Sequence, residues 1–153
     1  MWESSWATAH CARLSDTKSG AQNRPLGRAT LHSLESFKPK GVKPTDFIFP
    51  GNSKAGHFIG LPKVWERVAA RGGIEGVSLH GLRHWFGNAA TELGYSELII
   101  GALLGHAARG VTGRYASAPD PALVAAADRV SQRIMNALDG KEATAKVVRI
   151  GAA

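Results

Sequence analysis

The sequence predicts a mainly α-helical protein carrying a small antiparallel β-sheet or hairpin, an α+β architecture. Three observations predict it. Apolar side chains recur at helical spacing in several separate stretches, most regularly at Leu123, Ala127, Val130, Ile134 and Leu138. Helix stop signals follow the stretches, at Gly72-Gly73, Gly94 and Gly105. A β signal lies near the N-terminal end, where Ser19-Gly20 sits between short extended segments and Pro25 follows.

The elements follow in order. Residues 1–12 (MWESSWATAHCA) have no clear helical or strand period and form a poorly specified N-terminal segment. The hairpin comes next. Residues 26–38 place Leu31, Leu34 and Phe37 at helical spacing, and Pro39-Lys40-Gly41 stops that helix. Phe47-Ile48-Phe49-Pro50 is a short apolar run followed by a Gly/Ser/Asn loop. A helix from Leu61 to Arg71 should bury Val64, Trp65 and Val68. Ser78 is placed to cap a helix through His80–Leu93, and Ser96 to cap the next, in which Leu98, Ile99, Ala102 and Leu103 share a side. Trp65, Trp85 and Phe86 sit in helical patterns as core residues, and Tyr95 reads as a ring packed across a turn. A short helix over Thr112–Ala116 precedes a longer one that Pro119 and Pro121 open. Residues 139–153 read as a flexible tail, in which Ala145–Ile150 has the character of a pairing strand.

Composition narrows the function. The chain has 153 residues, of which 44% are hydrophobic and 20% charged, which suits one domain with its own core and excludes wholesale disorder. No run approaches the ~18 apolar residues of a membrane span, and MWESSWATAHC lacks the form of a signal peptide. One cysteine, Cys11, makes neither an internal disulfide nor a cysteine-rich zinc site, so a cytoplasmic location is expected. The net charge of +7 is concentrated in residues 1–57, with eight basic and four acidic side chains. Such a surface favours a polyanion through phosphate neutralisation.

The chemistry-bearing segment is Leu79–Tyr115. His80 and Arg83 are three apart, so a helix presents both on one side. His106 follows Leu-Leu-Gly at a chain reversal, and Tyr115 lies nine residues further on in a polar Thr-Gly-Arg-Tyr context. Arginine offers a fork to non-bridging phosphate oxygens, histidine shares protons near neutrality, and tyrosine becomes a nucleophile when cations stabilise its phenolate. These are the parts of a metal-free phosphoryl transfer. His80 and His84, four apart, have no Glu in the zincin position and no third ligand nearby, so His84 is read as a packing residue or as a support behind the site's own side chains, and no metal or other cofactor is expected.

His80-Gly-Leu-Arg83-His84, then Leu103-Leu104-Gly105-His106, then Tyr115, resembles the catalytic domain of the tyrosine recombinases, the phage-integrase family. Asp16-Thr17-Lys18-Ser19-Gly20 with Arg24-Pro25-Leu26 resembles that family's hairpin. The resemblance covers residues 13–138, a partial catalytic domain, and implies the DNA breaking–rejoining fold. It implies that Tyr115 attacks the scissile phosphate to form a 3′-phosphotyrosyl link. Arg83 would clamp the non-bridging oxygens, His80 and His106 would bond the phosphate or move protons, and Lys18 would protonate the leaving 5′-oxygen. The implied partners are double-stranded DNA and other recombinase protomers, the latter through the C-terminal helix, with nucleoid association when DNA-bound.

The sequence departs from the pattern upstream. Nothing in MWESSWATAHCARL matches the family's T-G-x-R-x-x-E helix, which supplies a second phosphate-clamping arginine, and Arg13 is the only arginine before Lys18. The chain therefore reads as a C-terminal piece, inactive or nearly so alone. Two other readings stay open. Asn88–Ile100 resembles a helix-turn-helix, which makes the chain a non-catalytic DNA-binding module. A fragment with a docking helix would instead regulate intact recombinases.

Overall fold

The computed structural model describes residues 10–14, 22–106 and 120–141. Within them, strands β1 (Cys11–Leu14) and β2 (Gln22–Pro25) form a two-stranded antiparallel sheet, followed by helices α1 (Arg28–Ser36), α2 (Leu61–Gly72), α3 (Leu79–Glu92), α4 (Glu97–Leu104) and α5 (Pro121–Leu138). The predicted mix of helices with a small antiparallel sheet is the observed one. The Ser19-Gly20 turn, the Thr112–Ala116 helix and the Ala145–Ile150 strand lie outside the described residues.

Cys11 pairs with Pro25 and Leu14 with Gln22. β1 thus starts inside the segment that lacked a sequence signal, because four residues are too few to show a period. Cys11 is 2% exposed, and burial pushes its thiol pKa up, against the opposing pull of Arg13. It behaves as a small apolar residue rather than a reactive one.

α1 begins later and ends earlier than its apolar spacing suggested. Gly27 lies against α5, where a Cβ would stand 2.3 Å from the Ala127 carbonyl oxygen and 2.0 Å from Ser131 Oγ. Asp128 fastens the same junction, accepting from the Arg28 backbone N–H at 2.6 Å and from Arg28 Nε at 3.0 Å. Phe37 falls just beyond α1 and is exposed rather than part of an apolar stripe. In α2 only Ala69 is buried; Val68 is half-exposed, and Trp65 turns its indole N–H to the Val77 carbonyl.

The core sits where α3, α4 and α5 meet, around Ala90, Leu103, Ala126, Ala127 and Val130. Phe86, Leu93, Tyr95, Ile99, Ile100 and Ile134 pack against it, so Tyr95 is the structural ring its position suggested. The α5 stripe is therefore spent within this chain, except Leu138, which is exposed. Arg133 Nη2 of α5 adds an ion pair with Glu92 of α3 at 2.9 Å.

Two expectations for large side chains are corrected. Trp85 is 70% exposed, because the core-facing stripe of α3 runs through Phe86, Ala89, Ala90 and Leu93 and leaves its neighbour turned away. Leu98, expected to share a side with Ile99, Ala102 and Leu103, is 70% exposed, since α4 presents Ile99, Ile100 and Leu103 inward. Among the described residues no helix is long and apolar enough to cross a membrane.

Candidate functional site

α3 has a third face, and it carries the candidate site. Ser78 caps the helix, its hydroxyl accepting from the Gly81 N–H at 3.0 Å, which fixes where the first turn starts. His80, Arg83 and His84 then fall on one side, away from the core stripe. The His80 and His84 rings meet edge to face, with centroids 4.5 Å apart and an interplanar angle of 84°.

α4 supplies the opposite wall. It ends at Gly105, whose left-handed backbone (φ 66°, ψ 40°) reverses the chain. His106 N–H donates to the Gly101 carbonyl at 2.8 Å and Gly105 N–H to Ala102 at 3.1 Å, the paired bonds of a Schellman end. That turn directs His106 toward the α3 face. His80, Arg83, His84 and His106 line one cleft of about 540 Å³, floored by Gly87, Gly101 and Leu104.

Two carbonyls at the end of α4 lie outside the Schellman bonds, and each receives an arginine. Arg83 Nη2 donates to the Leu104 carbonyl, across 21 residues of sequence. Arg24 Nη2, arriving from β2, donates to the Gly105 carbonyl at 3.3 Å. Cations at a helix C-terminus offset its partial negative charge. The Arg24 guanidinium rests directly on Gly105, where a Cβ would stand 0.9 Å from Nη1. Burial, and then the Arg83 charge, lowers the Arg24 pKa.

Neither guanidinium has a carboxylate within ion-pair distance among the described residues, unlike Arg28 and Arg133. Nor do any three His, Cys, Asp or Glu side chains among them gather to hold a metal ion. The arrangement can grip an anion and share protons with it.

No family model, curated protein or solved structure matches this chain.

The structure thus brings together His80, Arg83 and His106, which were singled out from their spacing. Lys18 and Tyr115 lie outside the described residues. His84, read as a packing or supporting residue, lines the cleft with its ring against His80. Arg24 was missed as a site residue. A four-residue strand gives no sign of which helix end its side chains will reach.

Gly105→Ala should be costly here, because the new methyl meets Arg24 and the φ of 66° is strained for any L side chain. We expect a loss of about 1–3 kcal/mol, with the His106 ring resonances shifted in NMR spectra. Unchanged stability and unchanged His106 signals would show that the turn does not depend on the missing side chain.

Proposed function

We propose that this chain is a partial catalytic domain of a tyrosine recombinase, which breaks and rejoins double-stranded DNA through a 3′-phosphotyrosyl intermediate at Tyr115. The observation that carries the reading is the convergence of His80, Arg83 and His106 in one cleft. Residues from two motifs separated in sequence share a wall-to-wall site, and Arg83 bonds the very turn that presents His106.

In this reading the Tyr115 oxygen forms a bond to phosphorus while the bond to the 5′-oxygen breaks. Lys18 gives a proton to the departing 5′-oxygen, which leaves as a hydroxyl. Arg83 has one N–H engaged at Leu104 and no other partner among the described residues, which leaves the rest of its fork to non-bridging oxygens, where charge builds in the transition state. His80 and His106 hydrogen-bond the same oxygens or move the tyrosine proton. The phosphotyrosyl link conserves the bond energy, so a second 5′-hydroxyl reverses the step and rejoins strands.

The helix-turn-helix reading is the weaker one. Gly94 does turn α3 into α4, with Ser96 capping the second helix. As a reading helix, however, α4 (ELIIGALL) offers one acidic and no basic or amide side chain to base edges. Docking on another protomer through α5 would fall to its exposed end near Leu138, since the stripe itself is internal.

The test is covalent capture. The chain is incubated with a randomised pool of nicked DNA duplexes, and DNA that stays attached in SDS is recovered and sequenced. The parent chain should give slow, sequence-selective adducts, and Tyr115→Phe none. Adducts that survive Tyr115→Phe, or a parent chain that gives none, would overturn the proposal.

A further inference from the structure

Arg24 and Arg83 reach the same helix end from different elements, one from β2 and one from α3. Both are unpaired with carboxylates among the described residues. Their guanidiniums act on adjacent carbonyls, so two positive charges stand side by side at the turn that carries His106. Arg24 Nη1 is buried and has no hydrogen-bond acceptor among the described residues. A buried cationic group beside a second cation is costly, and that cost falls when an anion comes near the pair. Helix capping accounts for one donor of each arginine and leaves the rest, together with their mutual repulsion, unexplained.

We propose that Arg24 is the second cationic arm of an oxyanion site centred on Arg83, which binds a tetrahedral phosphate-class group at the α4 end of the cleft. The anion is held directly by the free donors of Arg83 and by the imidazoles of His80 and His106. Arg24 acts from behind the turn, as a positioning residue. It fixes the Gly105 carbonyl, and its charge adds to the field at the anion. An anion on Arg83 in turn relieves the repulsion between the two guanidiniums. The glycine at 105 is what lets Arg24 come this close. This inference deepens the recombinase reading, in which the upstream clamping arginine has no counterpart in the sequence, but its readout needs neither DNA nor Tyr115.

The probe is inorganic phosphate, titrated into the full chain at low salt and followed by calorimetry and by guanidinium NMR signals. In the unaltered chain, signals of both Arg83 and Arg24 should shift with one affinity. Arg24→Met should weaken phosphate binding about tenfold, through the charge lost behind the turn rather than through a lost contact. Arg24→Lys, which keeps the charge, should fall between. Arg71→Met, at the exposed end of α2, serves as the control for a lost charge elsewhere. A folded Arg24→Met chain that binds phosphate like the Arg71→Met control would overturn the inference, since a merely capping arginine moves stability and not affinity. If Arg24→Met does not fold, the unaltered chain decides, because a silent Arg24 signal at saturating phosphate overturns it equally. Phosphate binding through both arginines without any DNA adduct would retain this inference and sink the recombinase reading. DNA adducts with phosphate binding indifferent to Arg24 would do the reverse.

Discussion

Arg83→Met is expected to slow formation of the SDS-resistant DNA adduct by on the order of 10²–10³, by analogy with deleting one preorganised donor at an oxyanion. The effect has two sources in the structure. Methionine removes the fork that faces the cleft, and it also releases the Leu104 carbonyl at the turn before His106. Arg83→Lys separates them. Lysine keeps a positive charge but cannot bond the carbonyl and a phosphate with one planar group, so it should recover only a minor part of the rate. Single-turnover adduct kinetics on captured duplexes, with circular dichroism melts alongside, measure both. A folded Arg83→Met chain that reacts at close to the parent rate would remove Arg83 from the site.

The largest effect on stability is expected at Gly27, far from the chemistry. Its Cα faces the Ala127 carbonyl and Ser131 so closely that Gly27→Ala must push α1 off α5. The obstacle is backbone as well as side chain, so rotamer changes do not relieve it. The Arg28–Asp128 contact, built on the same approach, would open with it. We expect a loss of about 2–3 kcal/mol, read as a fall in Tm of roughly 2–4 °C for each kcal/mol in a chain of this size. Adding Ser131→Ala should recover less than half, because the Ala127 carbonyl is still in place. A single Gly27→Ala chain that unfolds in urea at the parent midpoint would show that α1 does not pack as described.

Much of the local structure was legible because its causes are local. Ser78 and Ser96 announce helix starts through hydroxyls that reach an N–H within the same turn, and both caps form. Gly94 and Gly105 announce helix ends because the left-handed reversal favours a residue without a Cβ. The candidate site was legible for a related reason. His80 and Arg83 share a helix face by spacing alone, and the residue after a helix-ending glycine is bound to project from a reversal, as His106 does.

What stayed hidden depends on which surfaces meet. Periodicity marks an apolar stripe without saying which flank of it is covered, so Trp85 and Val68 were expected inside and Leu98 on the side of Leu103, yet all three are half or more exposed. Nothing in the Gln22–Pro25 stretch indicates that its arginine will cross to a helix end 81 residues later. Helices, caps, the hairpin and the His80–Arg83–His106 pattern follow from interactions within a few residues, which any reading of the chain contains. The burial of Cys11, the closeness of Gly27 to α5 and the pairing of Arg24 with Arg83 follow from contacts between distant segments, and only the packed structure decides those.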